Sequence, residues 1–227
     1  MKIAISGTSN MGKSTYIQDF IKNWSMYETP ATSYREILKE KNLPHSKEST
    51  EETQKLILDF LVDQAIESSK KDFVITDRCV LDAFAYTLWL NANGKVSDKF
   101  ADEQRIIVRE TLKMYDIILF TPITKAATVD IENDGFRETD ENFREEVDNI
   151  FKAFGQSYNV GDGRIFPKDD CPALIEIFGS REERIKITEF YLDKDGKPYG
   201  ENQSLLSEVI GASEQDLKNI EKDMGIR

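Results

Sequence analysis

Lys2-Ile3-Ala4-Ile5-Ser6-Gly7-Thr8-Ser9-Asn10-Met11-Gly12-Lys13-Ser14 is the stretch that decides the fold. Lys2 to Ser6 is a short apolar run of the kind that forms a buried strand. The eight residues from Gly7 to Ser14 satisfy G-x-x-x-x-G-K-[ST], and each residue type there has a physical job. The glycines let the backbone curl so that successive N–H groups face inward on phosphate oxygens. From Ser14 to Trp24, the residues Tyr16, Ile17, Phe20, Ile21 and Trp24 recur at helical spacing. A helix therefore begins at the loop and points its positive dipole end at the same anion. Lys13 is expected to reach the β and γ phosphates of a nucleoside triphosphate, and the Ser14 hydroxyl to ligate Mg²⁺. Gly7, Thr8, Ser9, Asn10, Met11, Gly12, Lys13, Ser14 and Thr15 together form the expected nucleotide contact.

Working outward, the same alternation of apolar strand and helix repeats. Asp72 to Asp77 reads as a second strand, Asp116 to Phe120 as a third and Ala173 to Phe178 as a further one. Met26 to Thr29 offers a possible edge strand. Helices are expected over Tyr34 to Glu40, Glu51 to Ser69, Val80 to Asn91, Asp102 to Met114, Asn142 to Phe154 and from Arg181. Short, continuous apolar strands each followed by a helix describe a parallel sheet covered on both faces. The expectation is an open, doubly wound α/β fold of about five strands, with ligands at the carboxyl ends of the strands. Residues 1–192 form this domain, and 193–227 a C-terminal extension packed on it. Asp195-Gly196-Lys197-Pro198 reads as a turn there, and Ser213 as the cap of a last helix reaching about Met224.

Composition narrows the function. At 227 residues, a single core needs no disulfide or metal to be stable. The formal net charge of −12 opposes nucleic-acid backbone and anionic membrane, so neither is an expected partner. It also opposes anionic substrates, so a phosphate site must supply local cations. Cys79 and Cys171 lack metal-ligand spacing, and His45 is the single histidine. A zinc site or a histidine-based triad is therefore not expected. The longest apolar runs are too short to span a bilayer, and the expected location is the cytoplasm.

Further charged residues fall where the fold brings them to the loop. Asp77-Arg78 ends the second strand, at the same sheet edge. An acid there can hold a Mg²⁺ water or take a proton, and a neighbouring Arg can clamp phosphate. A surface ion pair would explain the dipeptide in isolation; beside a phosphate loop the acid gains a role. Asp77 and Ser14 are thus the expected metal ligands. Asp134-Gly135-Phe136-Arg137 lies in a polar stretch from Thr121 to Asp140 with the composition of a mobile loop. Arg137 there is expected to neutralise charge on the transferring phosphoryl group, beside Lys13 and Asp77 as catalytic residues. Arg144 competes between a substrate contact and an i,i+4 pair with Asp148. Arg35, in Ser33-Tyr34-Arg35-Glu36, and Gly179-Ser180-Arg181 are weaker candidates.

These motifs, in this order, resemble the small P-loop nucleoside and nucleotide kinases. Asp77-Arg78-Cys79-Val80-Leu81-Asp82-Ala83-Phe84-Ala85-Tyr86 looks like the Asp-Arg-x-x-x-Asp-x-x-Ala-Tyr stretch of the NadR-like ATPase/kinase branch, and thymidylate kinases are more distantly similar. The resemblance covers about Met1 to Leu192. It implies a P-loop NTPase fold, ATP and Mg²⁺ as cofactors, Arg137 in the lid, and Arg35 and Arg78 facing the acceptor; Arg144 is a further substrate-binding candidate. Cys79 departs from the Tyr or Ser common after Asp-Arg in thymidylate and deoxynucleoside kinases. The implied activity is transfer of the ATP γ-phosphate to a nucleoside monophosphate, a deoxynucleotide included, or to a nucleoside. A homodimer is the oligomer considered. A nucleotide-dependent switch or ATPase without an acceptor is the alternative.

Overall fold

The apolar runs become four parallel strands, β1 (Lys2–Ser6), β2 (Val74–Asp77), β3 (Ile117–Phe120) and β4 (Ala173–Glu176), in the order β2-β1-β3-β4. The structure, a computed structural model, describes residues 1–124 and 139–199. Where a fifth strand was expected, Glu28 makes a single parallel bridge to Val74 at the β2 edge. Pro30 lies two residues on and has no N–H to extend that ladder.

Alternation along the strands sends side chains to two separate cores. Ile3, Ile5, Ile117, Leu119 and Ile175 pack with helices α1 (Lys13–Asn23) and α7 (Arg181–Glu189) on one face. Ala4, Ile118 and Phe120 pack on the other, beneath α3 (Glu51–Ser69), α4 (Val80–Ala92), α5 (Asp98–Leu112) and α6 (Glu141–Val160). The short helix α2 (Tyr34–Glu40) lies against α3. Helices on both faces are what all-parallel strands require.

Side-chain caps fix the helix ends. Thr50, Ser97, Asp140 and Ser180 each accept from the backbone N–H three residues on. The Ser97 cap starts α5 four residues before the expected Asp102. The first residues of the extension are tied down: Trp24 Nε1 donates to Asp193 O at 2.8 Å and Tyr27 Oη to Gly196 O at 2.6 Å. The Asp193–Gly196 turn closes through Gly196 N to Asp193 O at 3.0 Å. The proposed last helix lies outside the described residues. Among those described, no helix is long and apolar enough to cross a membrane.

The order of strands puts β1 between β2 and β3. The carboxyl ends of all three, at Ser6, Asp77 and Phe120, meet at one edge of the sheet.

Candidate active site

The Gly7–Ser14 loop leaves β1 and enters α1 through two left-handed turns, Asn10 (φ 56°) and Gly12 (φ 70°). Gly7 has φ 136°, and a Cβ there would lie 2.5 Å from Thr121 Oγ1 and 2.8 Å from Thr121 O. Glycine is required at that crossing by backbone angle and by space alike. Lys13 is buried, and its Nζ donates to Gly7 O at 2.8 Å and Thr8 O at 2.5 Å, so the ammonium curls back over its own loop. Burial first, and then Arg78, push its pKa well below the usual lysine value, against the pull of Asp82 and Asp77. Met11, Gly12 and Lys13 have backbone N–H groups without a hydrogen-bond partner among the described residues. Thr15 lies exposed on the first turn of α1.

Asp77, at the end of β2, comes to the mouth of the loop. Ser14 Oγ donates to Asp77 Oδ2 at 2.8 Å, across 63 residues of chain. Burial raises the Asp77 pKa, but Lys13, Arg78 and Arg35, with the Ser14 hydroxyl, outweigh it and hold the carboxyl below the usual aspartate range. Its other oxygen, Oδ1, is buried and has no hydrogen-bond partner among the described residues. A hydroxyl and a carboxylate with an unspent oxygen are the hard donors Mg²⁺ takes when phosphates and waters complete its octahedron. Among the described residues there is no cluster of three metal-ligating side chains, and such a shared site needs none. The residues present fit Mg²⁺.

Arg78 lies immediately behind. It adopts φ 83°, a region that L side chains with a Cβ rarely occupy and that costs on the order of 1–3 kcal/mol. Its guanidinium is buried, pairs with Asp82 Oδ1 at 2.8 Å and donates to Gly7 O at 3.3 Å. The rings of Tyr34 and Tyr86 flank it at 6.0 and 5.9 Å. Asp82 is the hub of this corner: Ser6 Oγ donates to it at 2.7 Å, Gly7 N at 3.3 Å and Cys79 N at 3.0 Å. It therefore ties β1, the loop and the start of α4 together. Asp82→Ala should cost about 3–5 kcal/mol, because it leaves a buried guanidinium unmatched. Urea unfolding should show that loss, and the double variant Arg78→Met/Asp82→Leu should regain part of it.

A cleft of about 560 Å³, counting its open mouth, runs from Ser9 and Arg78 outward. Tyr34 and Tyr86 wall it, Leu38, Ile57 and Leu61 form an apolar floor, and Gln54 adds an amide. Arg35 lines it too, with the Tyr34 ring 6.0 Å from its guanidinium and no acidic partner among the described residues. Of the two arginines that line it, Arg78 is matched by Asp82, and Arg35 meets no carboxylate among the described residues.

The remaining sequence-derived candidates separate. Arg144, in α6, is buried and turns to the loop: Nε donates to Ser9 O at 3.1 Å and Nη2 to Asn10 O at 3.5 Å. It does not pair with Asp148, which instead meets Lys152 at 2.7 Å and Ile123 N at 3.0 Å. Arg181 faces outward and pairs with Asp19 at 2.6 Å. The inward arginine of α7 is Arg184, whose Nη1 donates to Met11 O at 2.6 Å and Nε to Gly179 O at 3.1 Å. Arg137 lies outside the described residues.

Known structures share this architecture. The NadR protein solved in complex with NR aligns with a TM-score of 0.61 and 14% identity, over 89% of this chain and 54% of that one. The chain thus spans about half the length of NadR. Deoxyadenosine kinase from M. mycoides aligns with a TM-score of 0.59 and 18% identity in its dATP complex, over 83% of this chain and 97% of that one. Its complex with dCMP and a flexible dCDP gives 0.58 at 18% identity, over 83% and 96%. At these identities the likeness is one of fold. No curated protein matches the chain in sequence. A family model described as AAA domain matches residues 2–161, well over half of the chain, and the chain belongs to that family.

Proposed function

We propose that this chain is a kinase that moves the γ-phosphoryl group of ATP to a nucleoside or nucleoside monophosphate. The carrying observation is one sheet edge that joins a phosphate loop, the Ser14–Asp77 pair and an aromatic-walled cleft. A switch needs no such second pocket. Tyr34 and Tyr86 beside an apolar floor, with the Gln54 amide and Arg35 at hand, offer the aromatic walls and polar groups that a nucleoside base and sugar need.

Lys13 and the loop N–H groups bind the triphosphate, and Arg35 faces the acceptor. Ser14 and Asp77 would hold Mg²⁺, which would supply positive charge to offset that of the phosphates. Asp77 is also the carboxylate positioned to take the proton that a hydroxyl acceptor gives up. Arg137, on sequence grounds, joins Lys13 in balancing the transferring group. Because Asp82 matches Arg78, the cleft favours an uncharged nucleoside over its monophosphate, whose phosphate would want both arginines. NadR in complex with NR and deoxyadenosine kinase with deoxynucleotides supply the analogy for that choice.

The test is direct. Purified protein with ATP, Mg²⁺ and a panel of nucleosides and monophosphates should form ADP and one phosphorylated acceptor, with nucleosides ahead of monophosphates. ATP hydrolysis with no acceptor phosphorylated would sink the kinase reading in favour of an ATPase.

A further inference from the structure

Three consecutive carbonyls of the phosphate loop are held from behind by two arginines. Arg144 takes Ser9 O and Asn10 O, and Arg184 takes Met11 O. Both arginines are buried, at 7% and 6% exposure, and neither has a carboxylate partner among the described residues. Arg78, equally close to the loop, is matched by Asp82.

Peptide geometry gives the contacts a consequence. In a trans peptide the carbonyl and the following N–H point in opposite directions. Fixing the Ser9, Asn10 and Met11 carbonyls outward therefore turns the N–H groups of Asn10, Met11 and Gly12 towards the hollow of the loop. The Gly7 and Thr8 carbonyls face the other way, onto Lys13 Nζ. The loop thus divides into an outward carbonyl row and an inward amide row, with the arginines at the boundary.

We propose that Arg144 and Arg184 are positioning residues of the phosphate loop, anchoring its carbonyls so that its amides are pre-aimed at the triphosphate. Arg184 also bonds Gly179 O, just after β4, and so fixes the loop to the far side of the sheet. Arg144 fixes it to α6. The inference rests on the reading of Gly7–Ser14 as a triphosphate site.

Titration of the full chain with MgATP by calorimetry tests it, using Arg144→Met, Arg184→Met and the matching Lys variants. Each Met variant, at a temperature where its circular dichroism is native, should weaken MgATP at least tenfold. Apparent KM for ATP should rise by a similar factor, with kcat changing less than threefold, because the amides serve ground and transition states alike. Lysine keeps the charge but lacks the planar fork whose separate nitrogens reach the two carbonyls in fixed geometry, so the Lys variants should fall between wild type and Met. If a Met variant does not fold, its Lys partner decides: affinity reduced threefold or more supports the role, and unchanged affinity overturns it. Met variants that lose thermal stability yet bind MgATP within twofold of wild type would show a merely structural part and overturn it. Wild type that binds no MgATP at all would remove the triphosphate reading, and this inference with it.

Discussion

Lys13→Ala yields a folded protein that no longer binds nucleoside triphosphate in any useful range. The lysine is the one side-chain ammonium inside the loop, donating to the Gly7 and Thr8 carbonyls, and a triphosphate would replace those carbonyls as its partner. Truncating one partner of a buried, hydrogen-bonded charge pair costs about 2–5 kcal/mol. That is about one and a half to three and a half orders of magnitude in affinity. The free protein should not suffer in proportion. Burial, with Arg78 beside it, opposes the lysine's charge, so its ammonium is held there against a desolvation cost. Removing it removes that cost along with two hydrogen bonds to backbone oxygens. Calorimetric titration with MgATP should therefore show binding lost, while the thermal midpoint of the free variant stays near that of wild type. A variant that still binds MgATP within threefold would take Lys13 out of the phosphate site.

The same residues show what kind of information a sequence carries. Local rules were enough for most elements. The apolar runs at Ile3–Ile5, Ile117–Phe120 and Ala173–Ile175 are continuous because both faces of the sheet are covered. The helix over Glu51–Ser69 is bounded as its cap, Thr50, dictates. Edges were harder. Met26–Thr29 has strand-like residues but reaches only one bridge before Pro30, since an edge strand depends on a partner that the local pattern does not reveal.

The site divides along the same line. Gly7, Gly12, Lys13 and Ser14 are legible because the loop's geometry demands those types at that spacing. Asp82 is not, although it stands in a motif-like stretch: its worth comes from Ser6, 76 residues away, and from the inward turn of Arg78. Arg144 illustrates the competition directly. The i,i+4 rule pairs it with Asp148, but tertiary packing gives Asp148 to Lys152 and Arg144 to the loop. Arg184 and Arg181 are three residues apart on one helix with opposite fates, inward and outward. Which one faces the loop depends on the docking of α7 beside α1, a long-range event that the spacing alone leaves open.

Asp77→Asn separates binding from turnover. The carboxylate touches the loop through Ser14 Oγ at 2.8 Å, and an asparagine oxygen can accept that bond nearly as well. Fold and nucleotide affinity measured without Mg²⁺ should both stay within about threefold of wild type, a difference of under ~1 kcal/mol. What the amide lacks is charge. The buried Oδ1, with no hydrogen-bond partner among the described residues, is the oxygen a divalent cation or a proton would use, and a neutral amide serves neither. Lys13, Arg78 and Arg35 hold the wild-type carboxyl ionised, so the substitution removes a full negative charge from a cationic corner. Turnover should fall on the order of 10²–10³-fold, the scale of losing one preorganised electrostatic element. The concentration of Mg²⁺ needed for half-maximal rate should rise with it. Asp77→Ala provides the contrast, since it breaks the Ser14 bond as well and should loosen nucleotide binding that Asp77→Asn preserves. Initial rates across a Mg²⁺ series, with nucleotide titrations of both variants, distinguish these outcomes. Undiminished turnover in Asp77→Asn would remove the carboxylate from the chemistry and leave it a structural partner of Ser14.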